Sequence, residues 1–209
     1  NGKYLVIANI GTIDIYSFDG YNAPVYITTA VTPSYASAKW SPDGRFIAVC
    51  AYTTLRIYSF DGSTLTQVGS DAPAVDISQN LDWSPDGKYI AVVSTGTFPT
   101  PPNLRIYSFD GASTPVTICN TTPPSPVSVS WSPDGRFVAI ANNSYYTVSE
   151  GLQIYSFNGS SLTQVGSDVF VPGEPASLEW SPDGRFIAFV SLRASLLQIF
   201  SFNGSTTPT

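Results

Sequence analysis

One five-residue phrase, Trp-Ser-Pro-Asp-Gly, occurs four times in this 209-residue chain, beginning at Trp40, Trp83, Trp131 and Trp180, with spacings of 43, 48 and 49 residues. Self-similarity at such a period means a supersecondary unit that stacks on copies of itself, because one unit cannot bury its own apolar face. Each copy runs on into Arg or Lys, an aromatic and an apolar run: Arg45-Phe46-Ile47-Ala48-Val49, Lys88-Tyr89-Ile90-Ala91-Val92, Arg136-Phe137-Val138-Ala139-Ile140 and Arg185-Phe186-Ile187-Ala188-Phe189. A fifth, partial copy reads Asn1-Gly2-Lys3-Tyr4-Leu5-Val6-Ile7. A second phrase keeps phase with the first. It reads Ile15-Tyr16-Ser17-Phe18-Asp19-Gly20 and returns at Ile57–Gly62, Ile106–Gly111, Ile154–Gly159 and Ile199–Gly204.

The second unit shows how a copy parses into four strands. Ala36 to Trp40 is short and tight, and Ser41-Pro42-Asp43-Gly44 reads as a hairpin turn, with Pro setting φ, Asp bonding back to the backbone and Gly taking positive φ. Arg45 to Tyr52 is nearly continuous in apolar residues, as a strand covered on both faces must be. Leu55 to Phe60 makes a third strand, Asp61-Gly62 turns the chain, and the polar Leu65 to Val68 suits an outer edge. A repeat of four antiparallel strands predicts an all-β propeller, with small residues on the first strand where blades converge. The units divide as a partial blade at 1–33, blades at 34–76, 77–125 and 126–174, and a partial blade at 175–209.

Trp180 to Ser191, Trp-Ser-Pro-Asp-Gly-Arg-Phe-Ile-Ala-Phe-Val-Ser, resembles the WD-repeat propellers and the Ser-Pro-Asp-Gly repeats of TolB-type propellers. The resemblance covers essentially the whole chain. It departs where a WD repeat ends its third strand in Trp-Asp, for here Tyr-Ser or Phe-Ser stands, and the Gly-His pair is missing. The buried His/Asp network that the resemblance would imply therefore does not carry over, and the chain looks like a prokaryotic or viral cousin. The strands expected number eighteen, four and a half blades. A portion of a longer propeller, a five-bladed ring closed imperfectly, and strand sharing between copies all fit that count. The absence of any Met favours the first.

Composition narrows the chemistry. There is no His, which removes imidazole metal sites and His-based acid/base catalysis. Charged residues are 11% of the chain, against a usual share of about 25%. A net charge of −6 argues against a nucleic-acid or anionic-membrane partner. The longest apolar runs, such as Phe46 to Cys50, are far short of the roughly 20 residues of a membrane helix. Cys50 and Cys119 fit no metal-ligand spacing and read as free thiols, with a disulfide as the alternative. Asn120, Asn142, Asn158 and Asn203 begin Asn-x-Ser/Thr sites expected in loops or turns, and with the Ser/Thr-rich texture they point to an extracellular or surface protein.

The tempting carboxylates are periodic. Asp43, Asp86, Asp134 and Asp183 recur in every full turn, and Asp19, Asp61 and Asp110 match Asn158 and Asn203. A turn accepts Asn and a catalytic carboxylate does not, so these read as turn residues. The four Trp, at one position of each blade, read as packing rather than as a sugar-stacking set. No nucleophile motif, phosphate loop or calcium loop appears, and the chain is expected to hold no cofactor and no metal.

What varies is the set of connections on one face: Thr95 to Asn103, Asn142 to Gly151, Ser70 to Asn80 and Asp168 to Pro175. Phe98, Tyr145, Tyr146, Phe170 and Glu174 on these loops are the candidate binding residues, and the expectation is a non-enzymatic module contacting protein or glycan. A self-assembling subunit forming a homo-oligomer or filament is the alternative. A hydrolase or lyase using acidic residues in the central funnel, with Asp76, Asp82 and Glu179 as candidates, ranks third.

Overall fold

The structure is a computed structural model that describes residues 2–74, 78–95, 103–143, 151–193 and 195–209. Among them are eighteen strands and no helix. The first blade is β1 (Tyr4–Ala8), β2 (Ile10–Ser17) and the first part of β3 (Val25–Trp40). The remainder of β3 opens the second blade, followed by β4 (Phe46–Ala51), β5 (Thr54–Phe60) and β6 (Leu65–Pro73). The third holds β7 (Ser78–Trp83), β8 (Tyr89–Ser94), β9 (Asn103–Ser108) and β10 (Val116–Thr121). The fourth holds β11 (Pro126–Trp131), β12 (Phe137–Asn142), β13 (Gly151–Phe157), β14 (Leu162–Gln164) and a short β15 (Val169–Phe170) that also pairs with β13. The fifth holds β16 (Pro175–Trp180), β17 (Phe186–Ser191) and β18 (Leu196–Ser201). Every pairing is antiparallel between neighbours in sequence, except that β15 returns to β13.

The count of eighteen matches the expectation by two offsetting differences. β3 runs unbroken through residues 33 and 34, serving one blade as outer strand and the next as inner strand. β15 is the added strand.

The repeated turn explains the regular register. In the second blade the Ser41 hydroxyl donates to Asp43 Oδ1 at 2.6 Å and accepts the Phe46 N–H at 2.9 Å, while the Gly44 N–H reaches the Ser41 carbonyl at 2.9 Å. Gly44 sits at φ 71°, where a side chain would be strained. Ser84, Ser132 and Ser181 repeat the same bonds.

Blades are held by what lies between them. Each of the four junctions is a separate apolar cluster; the one between the third and fourth blades contains Ala91, Val93, Leu104 and Ile106 from one side and Val129, Trp131, Val138 and Ile140 from the other. Aromatic groups mark every junction: Tyr4 with Trp40 and Phe60, Phe46 and Trp83 with Phe109, Tyr89 with Trp131 and Phe157, Phe137 and Trp180 with Phe202. Mostly edge-to-face, with centroids 4.9–6.5 Å apart, they suit the ring quadrupoles. The first strands of successive blades touch, β3 with β7, β7 with β11 and β11 with β16, so these inner strands line the axis.

The glycosylation reading needs correction at two places. Asn142 lies in β12 and is fully buried, and Asn120 lies in β10. Asn158 and Asn203 do sit in exposed turns.

Candidate functional site

The periodic carboxylates are turn residues. Asp61 Oδ1 accepts the N–H groups of Ser63 and Thr64, both at 2.8 Å, and Asn158 Oδ1 does the same for Ser160 and Ser161 without a charge. Asp19 is pulled to about 2, first by the Asn22 N–H, then by the Asn22 side chain and the Tyr21 N–H. Asp183 is likewise lowered to about 2, by the Ser181 hydroxyl first and then by Arg185. Two of the four Trp indoles are interblade ties: Trp83 Nε1 donates to the Lys39 carbonyl and Trp180 Nε1 to the Ser130 carbonyl, each at 3.1 Å. Trp40 Nε1 and Trp131 Nε1 are buried without a partner.

One residue before each Trp the repetition stops. This position carries Lys39, Asp82, Ser130 and Glu179 on four successive inner strands. The Lys39 ammonium meets Asp82 Oδ1 at 3.0 Å across the second junction, with Asp82 only 14% exposed. Asp82 Oδ2 accepts the Trp131 backbone N–H at 2.8 Å across the third. Ser130 Oγ donates to Glu179 Oε1 at 3.3 Å across the fourth. Asp82 is thus held between an ammonium and an N–H donor, whereas Glu179 is exposed and accepts from a neutral hydroxyl. One register position thus carries a shielded carboxylate–ammonium pair on the second and third blades and a solvated carboxylate on the fifth. Asp82 and Glu179 were legible as inner-strand carboxylates. Lys39 and Ser130 were missed, although alignment of the four copies exposes the position at once.

Phe98, Tyr145, Tyr146 and Asp76 lie outside the described residues. Phe170, on β15, is 61% exposed. Glu174 sits at φ 60° with Oε2 2.9 Å from Arg193 Nε, so its carboxylate joins the link between the fourth and fifth blades to the β17–β18 connection.

Both cysteines are free; burial pushes the Cys50 thiol up to about 12 and raises that of Cys119. Among the described residues no cluster of three His, Cys, Asp or Glu side chains could hold a metal ion, and no helix is long and apolar enough to cross a membrane. A hollow of about 750 Å³ lies between the turns of the fourth and fifth blades, bounded by Pro133, Arg136, Pro182 and Arg185. A groove of about 220 Å³ between the second and third blades is built from the same turn positions, Pro42, Arg45, Pro85 and Lys88. Both are products of the repeat, away from the axial position.

The fold is shared widely. A Bacteroides uniformis protein assigned as a 6-phosphogluconolactonase superposes with a TM-score of 0.81 at 17% identity, over 98% of this chain and 65% of its own. The periplasmic gluconolactonase of Pseudomonas aeruginosa gives 0.78 at 17% identity, over 100% and 66%. The β-propeller domain of Myceliophteria thermophila Cps50 (Swd1) gives 0.72 at 16% identity, over 97% and 67%. The chain thus spans about two thirds of the length of the lactonases it resembles. No curated protein sequence matches it. The lactonases overturn the expectation of a non-enzymatic binding module or self-assembling scaffold: this arrangement of blades carries hydrolases, and the lack of His and of nucleophile motifs is no bar to one. The absence of a motif does not exclude an enzyme, because a site can be built from single residues that different blades bring together. The sequence model of one family, described as eukaryotic translation initiation factor eIF2A, matches residues 4–121. With more than half of its length covered by that match, this β-propeller belongs to the eIF2A family.

Proposed function

We propose that this propeller is a hydrolase of sugar lactones, working from the axial residues Lys39, Asp82, Ser130 and Glu179. The observation that carries the reading is the run of unlike, cross-bonded polar groups at one register position of four otherwise repetitive inner strands. The names of the superposable lactonases supply the reaction class. Glu179, exposed and bonded to a neutral hydroxyl, is the general base: it takes a proton from water as the water oxygen bonds to the lactone carbonyl carbon. The ring C–O bond then breaks, and the same carboxyl returns the proton to the departing ring oxygen. Lys39, oriented by Asp82, stabilises the negative oxygen of the tetrahedral intermediate.

Charge favours an uncharged lactone over a phosphorylated one. Among the described residues at least seven of the nine Lys and Arg, Lys39 among them, stand in ion pairs, and the net charge is −6. The same charge speaks against direct contact with RNA in the translation-initiation role that the family name carries.

The test is hydrolysis of glucono-1,5-lactone, followed by acid release against the buffer rate. Glu179→Gln is expected to lower kcat by about 100-fold or more with little change in KM. Turnover by the unsubstituted chain that is no faster than buffer, or that survives Glu179→Gln, removes the proposal.

A further inference from the structure

The last blade has one face that nothing covers. Leu197 is 67% exposed, while Leu55, Leu104 and Leu152 at the same repeat position are 0% exposed. Ile199 is 57% exposed against 0–1% for Ile57, Ile106 and Ile154, and Val190 is 39% exposed against 0% for Cys50, Val93 and Ala141. Phe186, also 40% exposed, stands where Tyr4, Phe46, Tyr89 and Phe137 enter aromatic junctions. These four side chains lie together on β17 and β18 and form an apolar patch of the kind that marks an interaction surface.

We propose that this face docks one more blade of the same repeat, whose first strand ends in Trp. Four copies of that interface inside the chain define its chemistry. The incoming Trp packs against Phe186, with its indole N–H within reach of the Glu179 carbonyl as Trp83 and Trp180 reach Lys39 and Ser130 at two of the four junctions, and the apolar second strand of the incoming blade covers Leu197 and Ile199. A second copy of this chain does not fit. The complementary surface of its first blade carries Leu5 and Ile7, 40% and 45% exposed, but residues 1–35 contain no Trp and that sheet has no inner strand. The lactonases that superpose on 98–100% of this chain also extend beyond it by about a third of their own length, which is room for further blades.

The test uses the full chain and an extension of it. Replacing residues 205–209 with a second copy of residues 160–209 supplies an outer strand and one further blade in phase with Gly204. In the 209-residue chain Ile199→Ala is expected to leave Tm unchanged; in the extended chain it is expected to lower Tm by about 5 °C or more, as for a core residue. A cysteine placed by Leu197→Cys should react freely with a thiol reagent in the first and be protected in the second. Changing the added blade's Trp to Ala should remove the protection. An extended chain that does not fold, or in which Ile199→Ala is silent and the new cysteine stays reactive, overturns the proposal. A 209-residue chain that sediments as a dimer, dissociated by Ile199→Asp, overturns it equally, since a second copy then occupies the face.

Discussion

The fourth and fifth blades carry nearly the same sequence, and their side chains meet different surroundings. Leu152, Ile154 and Phe157 in β13 align with Leu197, Ile199 and Phe202 in and just after β18. On β13 all three are buried between sheets, whereas in the last blade only Phe202 is, because it faces the preceding blade. Repetition thus specifies which residues can be core. A neighbour on the correct side decides which of them are.

The largest effect that would sharpen this contrast is a matched pair of truncations. Leu152→Ala is expected to destabilise by about 3 kcal/mol, through lost transfer energy and a residual cavity, and Leu197→Ala by under about 0.5 kcal/mol. Chemical denaturation of the two variants measures the difference, and equal losses would show that the last face is covered. A smaller effect belongs to the turns. Ser132 is buried, and its hydroxyl both donates to Asp134 and accepts the Phe137 N–H, so Ser132→Ala should cost about 1–2 kcal/mol. Ser181→Ala, with the same bonds in an exposed setting, should cost about half as much or less. If the two match, burial does not govern the turn.

The smallest effect is in acid. Burial raises the carboxyl of Asp134 even as Ser132 and Arg136 lower it further, whereas at Asp183, in the solvent-exposed turn of the last blade, the lowering prevails down to about 2. A folded value below the usual 3.8 means that Asp183 contributes stability above that pH, and that this contribution is lost as pH falls towards about 2. An NMR titration of its side-chain carboxyl should show a midpoint near 2. A midpoint near 3.8 would mean that the Ser181 and Arg185 bonds do not persist in solution.

Much of the fold is legible in the amino-acid sequence, since Pro, Asp and Gly at fixed offsets demand a turn and continuous apolar strands demand cover on both faces. The candidate site is legible only in part. Asp82 and Glu179 stand out as charges on inner strands, but Lys39 and Ser130 acquire meaning only through partners 43 and 49 residues away. Attention to the variable loops drew the reading towards Phe170 and Glu174, the second of which proves to be tied to Arg193.

The sequence by itself determined the repeat, its four strands, its turns and the apolar character of each blade, because these follow from local backbone preferences and side-chain alternation. The tertiary structure alone decided which unlike residues meet across neighbouring inner strands, and which of two equivalent leucines lies buried. Those outcomes depend on contacts between blades, and the distance in sequence from one blade to the next carries no local signal of them.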